Sequence, residues 1–461
     1  MEWWYSIKDF ILTLAVDTSA LLWGVPMIVL LVGTHIFMTV RTGFVQRRLG
    51  TAIKLSVTND DGSKGEVSQF GALAVSLAAT IGTGNIVGVG TAIAAGGPGA
   101  VFWCWIVGVF GIATKYSETL LAVKYRTKTE DGRVIGGAMV VIDKVMHKRW
   151  LAIAFCIFTL FASFGIGNMN QANSISTLAF NNLGIPTYVT GISLSIVVGV
   201  VILGGVKWIS NVCQILVPFM AVFFLVGCIW LLCLNSEFII PAIKTILCEA
   251  FSVKSVSGGL LGGGIMVAMR YGIARGLFSN ESGLGSAPLV ASQAKTKNAV
   301  RQALVSSTGT FWDTVVLCGI TGVVMVSSIL AYPDIDYTSG AAISSLAFGK
   351  IHQSGAVILT VALFTFVFST LLGWSCYGER VLEYWLGVKS IVYYRVAWTI
   401  FVFIGAVVKI SFVWTFSDIA NALMAIPNVI MVLALSGVVA NETRKYLWNN
   451  NLDAVDHDME C

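Results

Sequence analysis

Four residues, Gly82-Thr83-Gly84-Asn85, interrupt the uncharged stretch LAATIGTGNIVGVGTAIAAGG at positions 77–97, which is long enough to cross a membrane as a helix. A broken helix leaves free N–H groups at the start of one half and free carbonyls at the end of the other. The N–H groups near Thr83, Gly84 and Asn85 could hold a carboxylate, and the carbonyls just before the break could coordinate Na⁺. The pattern therefore indicates a site for a zwitterion with an ion beside it.

Taken alone, this interruption is explained equally well by close helix packing, because Gly84 and Gly88 are four residues apart. A second segment, GGLLGGGIMVAMRYGIARGLFSNESGLGSAP at 258–288, favours the functional interpretation. It carries two arginines, an asparagine and a glutamate within a membrane-length stretch: Arg270, Arg275, Asn280 and Glu281. Each costs about 2.5–3.5 kcal/mol at mid-depth unless it is paired or hydrated. Part of this segment must therefore line water, a substrate or protein.

Asp313 is an intramembrane carboxylate and so a candidate for cation coupling or proton exchange. Its position towards the cytoplasmic end of its segment, with Thr310 and Thr314 as hydrogen-bond partners, favours a buried structural role equally.

Two ion pairs are expected. Glu281 should pair with Arg270 or Arg275 as an internal gate or structural pair, because a buried charge that loses its partner is costly. Lys115 and Glu118, three residues apart on one helix, are expected to form a structural pair.

A later segment carries adjacent hydroxyls, Ser369 and Thr370, and Thr370 shares a helical face with Trp374 four residues on. Either hydroxyl alone is best interpreted as donating to the carbonyl four residues earlier in its own helix. A pair that lies opposite a helix interruption is better explained as oxygen ligands for a cation.

The composition is that of a polytopic membrane protein. Of 461 residues, 56% are hydrophobic and 11% are charged, whereas about a quarter of a soluble domain is charged. Each crossing needs about 20 apolar residues, and the sequence predicts about eleven spans. They lie near residues 20–40, 70–95, 99–124, 151–181, 186–204, 209–234, 258–290, 303–330, 353–385, 392–413 and 416–440.

The two interrupted spans, 70–95 and 258–290, begin two successive groups of five once the first span is set aside. Interruptions at corresponding positions of two halves indicate an inverted-repeat transporter. The sequence thus predicts an all-α integral membrane protein with one additional N-terminal helix. The expected domains are an N-terminal extracellular segment with the extra helix and a cytoplasmic loop, a ten-helix transport core, and a cytoplasmic tail: 1–66, 67–441 and 442–461.

Lysines and arginines concentrate in alternate loops, and the positive-inside rule places such loops in the cytoplasm. The expected location is the plasma (inner) membrane, with the N-terminus outside and the C-terminus cytoplasmic.

Four stretches, IGTGNIVGV, GIARGLFSNESGLGSAP, GNMNQANS and STLLGWSCYGER, resemble those of the alanine or glycine:cation symporter (AgcS) family. The resemblance covers essentially the whole chain. It implies a LeuT-type fold, a 5+5 inverted repeat preceded by an extra helix. It also implies Na⁺-coupled or H⁺-coupled uptake of a small neutral amino acid, most often alanine or glycine, although some relatives are assigned glutamine.

The resemblance also implies site residues. In the implied substrate site, the carboxylate-binding turn consists of Thr83, Gly84 and Asn85. The pocket is lined by the glutamine Gln171 and by the threonine Thr370. The aromatic walls are Phe278 and Trp374. A sodium site like the second sodium site of LeuT-type transporters would use the backbone carbonyls of Ala78, Ile81 and Phe366. It would also use the side-chain hydroxyls of Ser369 and Thr370. One sodium site is expected. Asn85 could serve either the carboxylate or a second cation.

These expectations describe a secondary active transporter that works by alternating access. A channel would show a repeated pore-lining motif, and a membrane enzyme would show convergent His, Asp or Glu on neighbouring spans. The sequence has neither pattern and no Walker motif, so an ion gradient is the expected drive. Na⁺ is the expected cotransported ion, without an organic cofactor. The expected partners are a small neutral amino acid and membrane lipid, with no nucleic acid and no obligate protein partner.

Overall fold

The computed structural model describes residues 13–58, 60, 63, 65–129, 131–252, 264–335, 340–408, 411–456 and 459. The described chain is almost entirely helical. In chain order the helices are α1 (Thr13–Arg41), α2 (Leu49–Ser56), α3 (Gln69–Thr80), α4 (Val87–Gly96), α5 (Ala100–Lys124), α6 (Ala138–Lys144), α7 (Arg149–Asn181), α8 (Thr187–Leu203), α9 (Gly205–Leu234), α10 (Ile239–Glu249), α11 (Gly264–Asn280), α12 (Pro288–Ala291), α13 (Ala299–Ala331), α14 (Gly340–Gly349), α15 (His352–Leu386), α16 (Ser390–Val407), α17 (Ser411–Ala434) and α18 (Ser436–Glu442).

Short irregular elements complete the description. Single 3₁₀ turns occupy Val45–Arg48, Thr83–Asn85 and Ser236–Phe238, and π-helical segments occupy Ser163–Met169, Phe311–Cys318 and Thr443–Trp448. One antiparallel hairpin joins β1 (Thr127–Lys128) to β2 (Val134–Ile135). Two of the π-helical segments lie inside α7 and α13, where such bulges often mark functional sites.

Eight helices in the described part of the chain are long and apolar enough to cross a membrane, judged by length and composition: α1, α5, α7, α9, α13, α15, α16 and α17. Each coincides with a predicted span. The remaining three predicted spans correspond to shorter helices: α3 with α4, α8, and α11. Residues 258–263 of the last of these spans lie outside the described residues. The total of about eleven spans and the three domain boundaries stay predictions.

α3 lies at the centre of the bundle. Its residues from Gly71 to Thr80 are all buried, whereas Ile215, Phe219 and Val222 on α9 are more than half exposed. A helix that is apolar and buried all round belongs to the core, and an exposed apolar face is what lipid requires. The interruption after α3 is therefore enclosed by protein.

The start of α3 is fixed from several directions. Ser68 caps the helix, its Oγ accepting a hydrogen bond from Gly71 N at 2.9 Å. Just before it, Val67 forms an isolated β-bridge with Ala294. The loop that precedes α3 is also held in place, by an ion pair.

A buried ion pair anchors that loop to the start of α13. Arg301 donates from Nε and Nη2 to the carboxylate of Asp60 at 2.9 and 2.7 Å, and both side chains are almost fully buried. A third donor to Asp60 is Gln69 Nε2 at 2.8 Å, at the first residue of α3. Arg301 also donates to Asp453 in the C-terminal segment at 2.6 Å. The Arg301 guanidinium thus connects three parts of the chain: the start of α13, the loop that precedes α3, and the C-terminal segment.

Candidate substrate and sodium sites

The first interruption separates α3 from α4. The chain leaves the helical conformation at residues 81 and 82, where ψ is 95° and −152°, and Thr83–Asn85 form one 3₁₀ turn before α4 begins at Val87. The Asn85 side chain closes this turn, because its Oδ1 accepts a hydrogen bond from Gly82 N at 2.9 Å. The interruption predicted from the glycine-rich sequence is therefore present, and an asparagine side chain holds it.

This hydrogen bond decides which carbonyls are free. In an unbroken α-helix the N–H of Gly82 would donate to the carbonyl of Ala78, and the N–H of Asn85 to that of Ile81. Here Gly82 N donates to the Asn85 side chain, and Asn85 N donates to Gly82 O at 3.3 Å. The carbonyls of Ala78 and Ile81 are therefore released from the helix.

The same turn leaves donors free on its other side. The N–H groups of Thr83 and Gly84 have no hydrogen-bond partner among the residues described here. Both residues are buried. An unsatisfied backbone N–H at such a place costs several kcal/mol, so a bound acceptor would stabilise this turn.

Five oxygens converge where α15 crosses the end of α3. The Ser369 hydroxyl donates to Ala78 O at 3.3 Å and to Phe366 O at 2.9 Å. The Thr370 hydroxyl donates to Ile81 O at 3.3 Å and to Phe366 O at 2.9 Å. All five ligands inferred for the sodium site therefore lie together. They are neutral, hard oxygen donors, the ligand type suited to an alkali cation.

Two glycines permit this convergence. A Cβ built on Gly373 would lie 2.6 Å from Ala79 N, so glycine allows α15 to approach the backbone of α3. A Cβ on Gly82 would lie 2.7 Å from Thr370 Oγ1. The glycine before the turn is therefore needed for the position of one of the five oxygens.

Two of the inferred substrate residues border the turn directly. Gln171 Oε1 lies 3.6 Å from the position that a Cβ on Gly82 would take, and it is a buried oxygen with no hydrogen-bond partner in the described structure. The amide nitrogen of Gln171 donates to Ile166 O at 3.2 Å. On the other side, Phe278 Cδ1 lies 3.4 Å from the corresponding position at Gly84.

Trp374 lies one helical turn beyond Thr370 and is buried. Its ring packs on Gly167, where a Cβ would lie 2.3 Å from the Trp374 side chain, and contacts the Tyr377 ring at a centroid distance of 5.3 Å. Gly167 belongs to the π-helical segment that precedes Gln171. Trp374 therefore lies near the turn: it is one helical turn from Thr370 on α15, and it packs on the segment that precedes Gln171.

The second interruption lies between α11 and α12. Glu281, Gly283 and Gly285 all have positive φ, at 55°, 90° and 78°. The carboxylate of Glu118, on α5, accepts hydrogen bonds from the N–H groups of Gly283 and Gly285 at 3.2 Å each. Asn428, on α17, donates to the same carboxylate oxygen at 2.7 Å and to Gly283 O at 2.9 Å. This interruption therefore binds an internal carboxylate.

The expected pairing of Glu281 with an upstream arginine is wrong. Glu281 lies inside the second interruption and accepts a hydrogen bond from Ser286. Its backbone at φ 55° has left the helix that carries the arginines, which ends at Asn280. The predicted contact between Lys115 and Glu118 is confirmed at 3.6 Å.

Arg275 and Phe278 instead line a cavity of about 270 Å³. Its guanidinium carbon lies 5.9 Å from the centre of the Phe278 ring. Arg270, Trp23 and Asp418 also line this cavity. Phe278 therefore lies beside the first interruption and also lines a cavity that has side chains of both charge signs.

The setting of Asp313 also differs from expectation. It contacts the first interruption: Asn85 Nδ2 donates to Asp313 Oδ1 at 2.7 Å and to its backbone oxygen at 3.2 Å. Thr314 is a hydrogen-bond partner at 2.7 Å, as predicted, but Thr310 pairs with Ser282 instead. Asp313 and Thr314 both lie in the π-helical segment Phe311–Cys318, whereas Thr310 precedes it and lies beside Ser282, at 3.1 Å.

Sequence reasoning missed three of these contacts: those of Glu118 and Asn428 with the second interruption, and that of Ser279, which donates to Asp313 Oδ2 at 2.9 Å. Glu118 has a visible pairing partner on its own helix. Its contact with the second interruption requires the fold.

Comparison with solved structures shows that the chain has a LeuT-type fold. The structure of MhsT in complex with L-phenylalanine superposes with a TM-score of 0.61 at 13% identity, covering 85% of this chain and 96% of that chain. A manganese transporter of Eremococcus coleocola gives a TM-score of 0.52 at 13% identity, covering 84% of this chain and 82% of that one. The fold predicted from the sequence is confirmed.

Sequence comparison gives the family. Residues 8–459 match the sodium:alanine symporter family. The sodium/alanine symporter AgcS of Methanococcus maripaludis is 46% identical over 446 residues, which is 95% of this chain and 97% of that protein. The probable sodium/glutamine symporter GlnT of Bacillus subtilis is 34% identical over 436 residues, 92% of this chain and 88% of its own. The chain belongs to the sodium:alanine symporter family, a family of membrane transporters.

Proposed function

We propose that this protein imports a small neutral amino acid, alanine or glycine, together with Na⁺ by alternating access. It would act in the plasma (inner) membrane with its N-terminus outside and its C-terminus in the cytoplasm. One observation carries the proposal: five convergent oxygens lie at the end of α3, one turn from two backbone N–H groups that have no partner in the described part of the chain.

Na⁺ would bind among these oxygens, which belong to two helices. Ala78 and Ile81 lie at the end of α3, whereas Phe366, Ser369 and Thr370 belong to α15. Because every ligand is neutral, none of them would neutralise the charge of the ion. Since the ligands belong to two helices, the bound ion would bridge the half-helix α3 and α15. Release of Na⁺ would free α3 to move relative to α15, the rocking that alternating access requires.

The substrate carboxylate would accept hydrogen bonds from the N–H groups of Thr83 and Gly84. The buried Gln171 Oε1, which lacks a partner in the described structure, would accept from the ammonium group. Since the anion and the Na⁺ share one turn, their attraction makes each raise the affinity for the other, and this coupling is reciprocal.

The aromatic residues would limit substrate size. Phe278 is held against Gly84, and Trp374 is buried against Gly167. The Trp374 ring cannot move towards Gly167 without displacing backbone, because a Cβ on Gly167 would lie 2.3 Å from the Trp374 side chain. A pocket bounded by these two rings would favour a methyl or hydrogen side chain over a long one.

The test is uptake of radiolabelled alanine into proteoliposomes under an inward Na⁺ gradient, repeated with K⁺ replacing Na⁺ at fixed pH. Concentrative uptake that requires Na⁺ supports the proposal. Uptake driven by a proton gradient without Na⁺ would move the coupling to H⁺, in line with the putative sodium/proton-dependent alanine carrier YrbD of Bacillus subtilis, 32% identical over 93% of this chain. Uptake of glutamine in preference to alanine would overturn the substrate assignment.

A further inference from the structure

Asp313 joins the two interrupted helices through buried hydrogen bonds. Its Oδ1 accepts from Asn85 Nδ2, in the first interruption, at 2.7 Å. Its Oδ2 accepts from Ser279 at 2.9 Å, in the last turn of α11 just before the second interruption, and from Thr314 at 2.7 Å. All four side chains are buried. One carboxylate on α13 therefore holds both halves of the transport core.

The bond from Asn85 fixes the orientation of that amide. An ionised carboxylate only accepts hydrogen bonds, so the amide nitrogen of Asn85 must face Asp313. The amide oxygen must then face Gly82 N, to which it is bonded at 2.9 Å. With the amide turned over, two donors would face each other at Gly82, and the Gly82 N–H would return to the carbonyl of Ala78.

We propose that Asp313 is a positioning residue for sodium binding: it holds Asn85 so that Asn85 keeps the Gly82 N–H away from the Ala78 carbonyl. The inference rests on the proposed function, since it gives that carbonyl the role of a sodium ligand. It assigns to Asp313 no contact with the ion.

The geometry favours positioning over direct ligation. Both Asp313 oxygens already accept short hydrogen bonds from side chains on three elements. The five cluster oxygens bond to one another and to none of the Asp313 atoms. Among the described residues, Asn85 and the turn are what connects Asp313 to the oxygen cluster.

The experiment is equilibrium binding of radioactive Na⁺ to purified protein in the absence of amino acid. Asp313→Ala should raise the Na⁺ concentration for half-saturation roughly tenfold, which corresponds to about 1.4 kcal/mol, with the number of ions bound per protein unchanged. Asn85→Ala should do the same. The double variant should need about the same Na⁺ concentration for half-saturation as either single variant, because the two residues act in series.

Thr321→Val is the matched control. Thr321 lies on the same helix, and its hydroxyl donates within that helix, to Leu317 O at 2.7 Å. The Na⁺ affinity of the Thr321→Val protein should therefore match that of the wild type. If Asp313→Ala does not yield folded protein, Asp313→Asn, which keeps one acceptor oxygen, should show a smaller shift in the same direction.

Three outcomes would overturn the inference: unchanged Na⁺ affinity in Asp313→Ala and Asp313→Asn, additive effects of the two single variants, or the loss of one bound ion per protein. The last would make Asp313 a ligand. If the wild-type protein itself binds no Na⁺, the proposed function fails instead, and that result is distinct from the other three.

Discussion

Replacing Thr370 with valine tests the sodium proposal at one oxygen. The change removes the hydroxyl and keeps nearly the same side-chain volume. That hydroxyl lies 2.9 Å from Phe366 O and 3.3 Å from Ile81 O. The carbonyl of Phe366 keeps its bond from Ser369, at 2.9 Å. The substitution therefore removes one ligand and leaves the other four in position.

The size of the effect follows from two opposing changes. An oxygen that interacts with a charge is worth about 1.5–3 kcal/mol, whereas the hydroxyl–carbonyl bonds lost from the sodium-free protein are worth about 0.5–1.5 kcal/mol. The net loss of sodium affinity is about 1–2 kcal/mol, or roughly 5- to 30-fold. Ser369→Ala should give a loss of similar size, because Ser369 makes the equivalent pair of contacts with Ala78 and Phe366.

The assay is alanine uptake into proteoliposomes as a function of external Na⁺ at saturating alanine. The Na⁺ concentration for half-maximal uptake should rise by that factor in Thr370→Val. Thr365→Val is the control on the same helix, since the Thr365 hydroxyl donates only to Val361 O and Ala362 O. An unaltered Na⁺ activation curve in Thr370→Val would refute the assignment of Thr370 as a ligand.

Three further substitutions have defined outcomes. Gly82→Ala should weaken Na⁺ dependence at least as much as Thr370→Val, because the new methyl would lie 2.7 Å from the Thr370 hydroxyl oxygen; normal Na⁺ activation would contradict the tight fit. Trp374→Ala should let bulkier neutral amino acids compete with alanine uptake, and unchanged selectivity would remove Trp374 from the pocket wall. Arg301→Gln should leave the Asp60 carboxylate buried and unpaired, at a cost of about 3–5 kcal/mol, so the melting temperature of the purified protein should fall clearly; an unchanged value would show that this pair does not stabilise the fold.

The features that sequence reasoning predicted have local causes. Glycines clustered around Thr83 interrupt a helix wherever that helix lies in the fold, and two adjacent hydroxyls at Ser369 and Thr370 share one region of helix surface. The hydrophobic spans likewise follow from runs of apolar residues alone. These signals located both interruptions and the two hydroxyls, whereas the resemblance to the symporter family implied the three carbonyl ligands.

The features that were missed or wrong depend on contacts between distant residues. Asn85 and Asp313 are 228 positions apart, and Glu118 and Gly283 are 165 apart. Neither contact leaves a periodic pattern. The expected pairing of Glu281 with an upstream arginine is wrong because Glu281 has a positive φ beyond the end of the helix, and its carboxylate accepts a hydrogen bond from Ser286.

The two interruptions share a chemistry that strengthens the interpretation of the first. In the second, the N–H groups of Gly283 and Gly285 hold the Glu118 carboxylate at 3.2 Å, with Asn428 as a further donor. A broken helix in this protein thus binds a carboxylate through two backbone N–H groups. The first interruption presents the N–H groups of Thr83 and Gly84 without such a carboxylate among the described residues. The predicted repeat puts the two segments at corresponding positions in the two halves. This correspondence supports the proposal that the carboxylate of the transported amino acid binds at the first interruption. The second interruption, already satisfied internally, is then the structural counterpart of the binding turn.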